Sequence, residues 1–166
     1  TDDGGPDRDR RLSEAGARGC ELLAAYLGAQ ASRPGLVLCS PAARTRETFE
    51  RIAHDLGWNP ERENPKVRFV EALYFATAGD LLTHIQAAGD GIDTLMVVGH
   101  NPGIGDLARI LAQKGDPAAL EELVRQVPAG GLARFTVAAA GWRETGPATT
   151  ALQDFVSPKT LECDGS

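Results

Sequence analysis

The stretch from Thr94 to Ala108, TLMVVGHNPGIGDLA, limits what this chain can fold into more than any other. Its first half, Thr94 to Val98, is a short apolar run rich in β-branched residues and bounded by Asp93 and Gly99. That is the pattern of a strand buried on both faces. The second half carries Pro102 at a first-turn position, then Ile104, Leu107, Ala108 and Leu111 at helical spacing, with Gly115 as a stop; this predicts a helix. The chain therefore passes from strand to helix through Gly99-His100-Asn101-Pro102. In an open α/β sheet, a turn at the carboxyl end of a strand faces the ligand crevice. The free N–H groups and positive dipole end of the helix favour an anion there. His100 adds an imidazole to a place already suited to phosphate.

The rest of the chain repeats this alternation. Residues 1–11 (TDDGGPDRDRR) are charged and glycine-containing and read as loop. Ser13 caps a helix reaching about Leu27, and Leu36 to Cys39 is a second buried strand. Ser40-Pro-Ala-Ala-Arg-Thr-Arg-Glu-Thr48 opens a helix whose apolar stripe is Phe49, Ile52, Ala53 and Leu56, ended by Gly57. Lys66 to Val70 reads as a third strand. Thr77 to Asp80 resembles a capping box for a helix carrying Leu81, Leu82, Ile85 and Ala88. Residues 117–126 suggest a short helix, and Leu132 to Val137 and Thr149 to Val156 two strands nearer an edge. Alternating strands and helices predict one α/β domain over residues 1–166, an α/β/α sandwich with a mainly parallel central sheet.

Bulk properties narrow the function. The net charge of -6 argues against a general nucleic-acid binder. No apolar run approaches the ~20 residues of a membrane span, so no membrane partner is expected. Cys20, Cys39 and Cys163 are odd in number and lack metal-site spacing, which suits reduced thiols in a cytoplasm.

Two loops leave the carboxyl ends of two buried strands, Ser40 to Arg44 and Gly99 to Pro102. Arg44 lies in the first turn of its helix, eight residues before Ile52 and so toward the core-facing side. Arg46 is rotated about 200° from it. An Arg, a His and a helix N-terminus in one crevice form a phosphoryl-binding set, because Arg grips oxygens in pairs and the amides and imidazole supply further donors. His54 and His84 flank the apolar stripes of their helices and read as surface residues. Gly103-Ile-Gly-Asp-Leu-Ala108 also matches a dinucleotide-binding fingerprint. Pro102 and His100 crowd that turn, however, and no strand ending in an acidic residue follows.

Four motifs in order carry a resemblance: Arg11-Leu-Ser-Glu-Ala-Gly16, Ser40-Pro-Ala-Ala-Arg-Thr-Arg-Glu-Thr48, Glu71-Ala-Leu-Tyr74 and Val97-Val-Gly-His-Asn-Pro-Gly103. With them the chain resembles the histidine phosphatase superfamily, the phosphoglycerate-mutase-like fold, and within it the SixA-type phosphohistidine phosphatases. The resemblance implies a metal-independent phosphatase with no cofactor, acting on a phosphorylated protein bearing phosphohistidine, or on a small phosphoester, through a phosphohistidine enzyme intermediate. It makes Arg44 and His100 catalytic and phosphate-gripping, with His100 a protonated donor. Asn101 joins them at the phosphate, and Glu71 is the candidate general acid or base at the rim. The nucleophilic histidine of the family stands in an Arg-His motif ending the first strand. The only histidines here are His54, His84 and His100, so that strand and its nucleophile are expected upstream of Thr1. A phosphate- or phosphoprotein-binding module without a nucleophile is the alternative.

Overall fold

The computed structural model describes residues 6–30 and 33–164. Its elements run α1 (Glu14–Ala29), β1 (Leu36–Cys39), α2 (Ala43–Leu56), β2 (Lys66–Phe69), α3 (Ala78–Gln86), β3 (Leu95–Val98), α4 (Gly103–Leu111), α5 (Pro117–Arg125), β4 (Leu132–Val137), β5 (Thr150–Val156) and α6 (Pro158–Asp164). The expected caps form: Ser13 accepts a hydrogen bond from the Gly16 amide and Thr77 from the Asp80 amide. Of the segment read as loop at the start, residues 1–5 lie outside the described residues and Asp7–Asp9 form a single 3-10 turn.

β1 is central and fully buried. It lies between β2 and β3, parallel to both, with Leu38 opposite Arg68 on one side and Val97 on the other. Its alternation splits the core into two layers. Leu36 and Leu38 pack with Leu81 and Ile85 of α3 and Leu107 and Leu111 of α4, while Val37 and Cys39 pack with Phe49 and Ala53 of α2. α1 covers α2 through Cys20, Leu23, Ala24 and Ile52. Helices thus lie on both faces of a parallel sheet, the layered architecture expected from the alternation.

Two details depart from the sequence reading. The first is α4, which stops at Leu111 instead of running to Gly115. The chain leaves the helix there to reach β5: the Lys114 carbonyl accepts from the Leu152 amide and the Asp116 amide donates back to the Leu152 carbonyl. The second is that β4 and β5 form their own antiparallel pair instead of joining the parallel strands. Among the described residues no strand lies between β3 and β4; a cavity of about 890 Å³ does, with Leu95, Met96 and Val97 on one side and Leu132 to Val137 on the other.

Candidate functional site

Adjacent parallel strands bring their following loops together, and β1 and β3 are adjacent with the same register throughout. Ser40, the residue after β1, is completely buried, and its amide donates to the Val98 carbonyl at the end of β3. Its side chain meets His100 Nε2 at 2.7 Å. α2 starts three residues later, so Arg44 in its first turn projects back over the same point and brings a guanidinium nitrogen to 3.2 Å from His100 Nδ1. The Arg44 side chain is only 16% exposed and His100 only 7%. Arg44 and His100 thus meet at the carboxyl ends of β1 and β3.

The imidazole is locked from both sides. A guanidinium can only donate, so Nδ1 offers its lone pair to Arg44, and the ring proton sits on Nε2 and is donated to Ser40 Oγ. Burial and then the Arg44 charge pull the His100 pKa down to about 4, with Asp7 opposing weakly. At neutral pH the ring is therefore neutral. This differs from the expectation of a standing protonated donor: burial and the Arg44 guanidinium against the ring outweigh the Asp7 carboxylate, which alone favours the imidazolium.

Arg44 is already engaged with an anion of the protein's own. Its guanidinium donates to the Asp7 carbonyl at 2.9 Å and to the Asp7 carboxylate at 3.1 Å. The same carboxylate accepts from the Tyr74 hydroxyl at 2.6 Å and from Arg10 at 2.9 Å. Those bonds, Tyr74 first, hold the Asp7 pKa at about 2. In chemical terms Asp7 puts a carboxylate where an incoming oxyanion would meet the same donors.

Two aromatics close the site. Tyr74 stands edge-on to His100 with centroids 5.4 Å apart, and Phe75 lies against it at 4.9 Å while also sitting 5.5 Å under the Arg44 guanidinium. Phe75 is half exposed and has φ 50, a left-handed conformation costly for a bulky residue. The loop is held there by close backbone approach. A Cβ on Gly103, at the start of α4, would fall 2.0 Å from the Ala76 carbonyl oxygen, so only glycine lets the two segments meet.

Other sequence candidates are placed differently. Both polar ends of the Asn101 side chain are used in holding the turn. The amide nitrogen donates to the Val127 carbonyl, and the oxygen accepts from the Gly105 amide. With both ends of its side chain engaged, Asn101 is left its main chain for the expected phosphate contact. The Glu71 carboxylate is paired with Arg8, which lowers its pKa from the usual range. The exposed carboxylate is thus already engaged by a cation, an arrangement that favours its charged form. Arg46, on the other face of α2, stacks at 3.9 Å on the Phe69 ring. His54 is exposed, and His84 Nδ1 lies 2.9 Å from the Asp80 carbonyl. No group of three or more His, Cys, Asp or Glu side chains among the described residues is arranged to hold a metal ion. No helix among them is long and apolar enough to cross a membrane.

Sequence reasoning missed Asp7, Tyr74 and Phe75 as site residues. Asp7 sits in a charged run where nothing marks it apart, and its partners are 37 and 67 residues away. Tyr74 stands at the end of the quoted Glu71-Ala-Leu-Tyr74 motif but is given no role there, and Phe75 follows it in a segment without helical or strand period.

No family model matches the chain. An uncharacterized protein of Mycobacterium tuberculosis (strain H37Rv) is 34% identical over 159 residues, covering 95% of this chain and 94% of that protein. The structure of the proposed phosphohistidine phosphatase SixA of Nakamurella multipartitia superposes with a TM-score of 0.77 at 28% identity, over 91% of this chain and 86% of that one. A structure of the protein histidine phosphatase SixA complexed with tungstate superposes with a TM-score of 0.73, over 96% of this chain and 91% of that one. At 21% identity it speaks for the fold.

Proposed function

The chain belongs to the histidine phosphatase superfamily, alongside the SixA-type phosphatases, and from that premise we propose that it hydrolyses protein phosphohistidine through a phosphohistidine intermediate. The observation that carries the reading is the contact between Arg44 and His100 at the ends of two adjacent parallel strands, with a carboxylate already drawn onto Arg44. A phosphoryl group at that point takes over the donors that hold Asp7. Arg44 and the Tyr74 hydroxyl face two of its oxygens, and His100 a third.

The chemistry runs in two displacements. A histidine nitrogen of the enzyme, expected on a strand upstream of Thr1, attacks phosphorus in line with the P–N bond of the substrate. The new P–N bond forms as the old one breaks, and the leaving imidazole takes up a proton. Water then attacks the enzyme's phosphohistidine; its hydroxyl joins phosphorus, its proton goes to the departing histidine nitrogen, and phosphate is released. Charge grows on the equatorial oxygens in both steps, so catalysis consists of positioned donors. No step is assigned to a metal. An arriving dianion stabilises the imidazolium, so His100 takes up a proton on binding. Glu71 stays paired with Arg8 outside the proton transfers. The half-exposed Phe75 gives the crevice an open rim, which suits a phosphohistidine presented on a protein surface, and a small phosphoester as a simpler substrate.

Incubation with a radiolabelled phosphoryl donor, using a chain extended by its upstream sequence, tests the reading. The expected result is an acid-labile label on a histidine preceding Thr1, with none on His100. Turnover by residues 1–166 alone that is abolished by His100→Ala would contradict it and make His100 the nucleophile. Anion binding without turnover in the extended chain would leave a phosphate-binding module.

A further inference from the structure

Phe75 is the most exposed of the chain's five phenylalanines, at 50%, and its backbone is left-handed with φ 50. Neither feature stabilises the fold. An apolar ring gains by leaving water, and a positive φ is costly for a side chain of this size, whereas glycine adopts it freely. The loop has other means of keeping its path. Leu73 and Ala76, on either side, are buried in the same core cluster as Leu81. The Ala76 amide donates to the Leu73 carbonyl, and Gly103 lets the Ala76 carbonyl approach the start of α4. With its neighbours anchored, Phe75 is turned outward. Strain and exposure kept together beside a functional site point to a functional reason.

The surroundings of the ring supply one. It packs on the groups that face the oxyanion: His100 with centroids 4.9 Å apart and planes 35° from parallel, the Arg44 guanidinium carbon 5.5 Å from the ring centre, and Tyr74 at 4.8 Å. The rest of the ring is open to solvent. The floor of the site is closed, since Ser40 is completely buried and bonded to His100. A phosphoryl group held by Arg44 and His100 therefore carries its substituent outward, past Phe75. Aromatic pairs favour offset or edge-on arrangements with centroids about 4.5–7 Å apart, and gain beyond the area they bury. An alkyl substituent gains area alone. A ring bonded directly to phosphorus starts beside the residues that Phe75 already touches, while a ring one atom further out has another rotatable bond to fix.

We propose that Phe75 is a specificity-determining residue, a stacking platform for a planar aromatic group bonded directly to the phosphorus that Arg44 and His100 hold. The imidazole of a phosphohistidine, joined through nitrogen, is such a group. The side chain of a phosphoserine is not, and the ring of a phosphotyrosine is set off by an oxygen. This role rests on the phosphoryl site of the proposed function and adds to it a selection among substrates.

Three stable phosphonates, titrated calorimetrically into the protein at a pH where all are dianions, test it. Phenylphosphonate has its ring on phosphorus, benzylphosphonate has it one carbon away, and methylphosphonate has none. Phenylphosphonate should bind about three- to tenfold more tightly than methylphosphonate, the scale of one aromatic pair, and more tightly than benzylphosphonate. Phe75→Leu should bring the phenyl-to-methyl ratio close to one, and Phe75→Tyr, which keeps a ring, should preserve it. Phe75→Gly, which suits the left-handed backbone, guards against a disturbed loop and should lose the ratio too. Phe69→Leu removes the other exposed phenylalanine, at the end of β2, and should leave the ratio unchanged. A ratio near one in the unaltered protein, a ratio kept by both Phe75→Leu and Phe75→Gly, or an equal loss in Phe69→Leu overturns the platform, while methylphosphonate binding leaves the phosphoryl site standing. Tighter binding of benzylphosphonate than of phenylphosphonate overturns the direct bond to phosphorus and favours a phosphotyrosine-like substrate. Failure of all three to bind overturns the phosphoryl site and the platform with it.

Discussion

The two flanks of β1 are built from similar material and end differently. On one side lies β2, Lys-Val-Arg-Phe, with Lys66 and Arg68 exposed. Charges along an outer strand keep other strands away, and at its carboxyl end Arg46 stacks on Phe69. On the other side lies β3, Leu-Met-Val-Val, half-buried along its length and without a charge. At its carboxyl end Arg44 meets His100. Both arginines come from the first turn of α2, yet one finishes a surface and the other faces a buried imidazole and a carboxylate. Charge does not separate them; the strand each leans toward does. The β2 flank is a closed edge and the β3 flank an open one, with its functional groups gathered where the opening meets the ends of the strands.

The largest expected effect breaks the symmetry of the arginines. Arg44→Ala should weaken oxyanion binding by roughly 2–4 kcal/mol, the scale of one lost charge-stabilising donor, and Arg46→Ala by less than about 0.5 kcal/mol, as for an exposed surface contact. Isothermal titration with tungstate on the two variants checks this. Equal losses would mean that the two flanks are not distinct. Along the strands, Leu95→Lys should lower stability by about 2 kcal/mol, since it puts a charge among half-buried apolar walls. Arg68→Leu should stay within about 0.5 kcal/mol in stability and instead raise self-association. Denaturant unfolding and light scattering give the two readings.

A smaller effect concerns pH. His100 has its pKa depressed to about 4, so between its ordinary value of 6.5 and 4 the unfolded chain binds more protons than the folded one. Stability should therefore fall as pH drops through that window. Sulfate, a dianion across the range, should show the opposite trend. It raises the His100 pKa, takes up a proton on binding and gains affinity by at most about tenfold per pH unit as pH falls. His100→Gln should flatten the sulfate profile; an unchanged slope would remove His100 from the site. Smallest of all, Asp7→Asn takes away the internal competitor and should modestly improve sulfate binding, read as a lower Kd in the same titration, since an exposed ion pair holds its partner weakly.

The β3 flank was partly legible in the sequence, for reasons that particular residues make plain. The run Leu95 to Val98 has no polar residue to pair outward and is followed closely by His100 and a helix start, so strand, turn and site could be read together. Arg44 was legible because helical phase is fixed once Ile52 is known to face the core. Ser40 stood in a quoted motif, but its hydrogen bond to His100 depends on the β1–β3 register, which no local pattern encodes. Asp7, Tyr74 and Phe75 reach the site through contacts between distant loops, and the left-handed Phe75 is held by the approach of Gly103 to Ala76. The neutral state of His100 was likewise hidden, since it follows from burial and from which ring nitrogen Arg44 meets. The separation of β4 and β5 from the parallel strands belongs to packing, and periodicity is blind to it.

The central claim is that Arg44 and His100 together form an oxyanion site, and a crystal structure of the protein with tungstate tests it most directly. The account predicts one tungstate at the carboxyl ends of β1 and β3, with its oxygens about 2.7–3.2 Å from both the Arg44 guanidinium and the His100 ring and the Asp7 carboxylate displaced from Arg44. A tungstate bound elsewhere, or one touching neither side chain while Asp7 keeps its place, would contradict it.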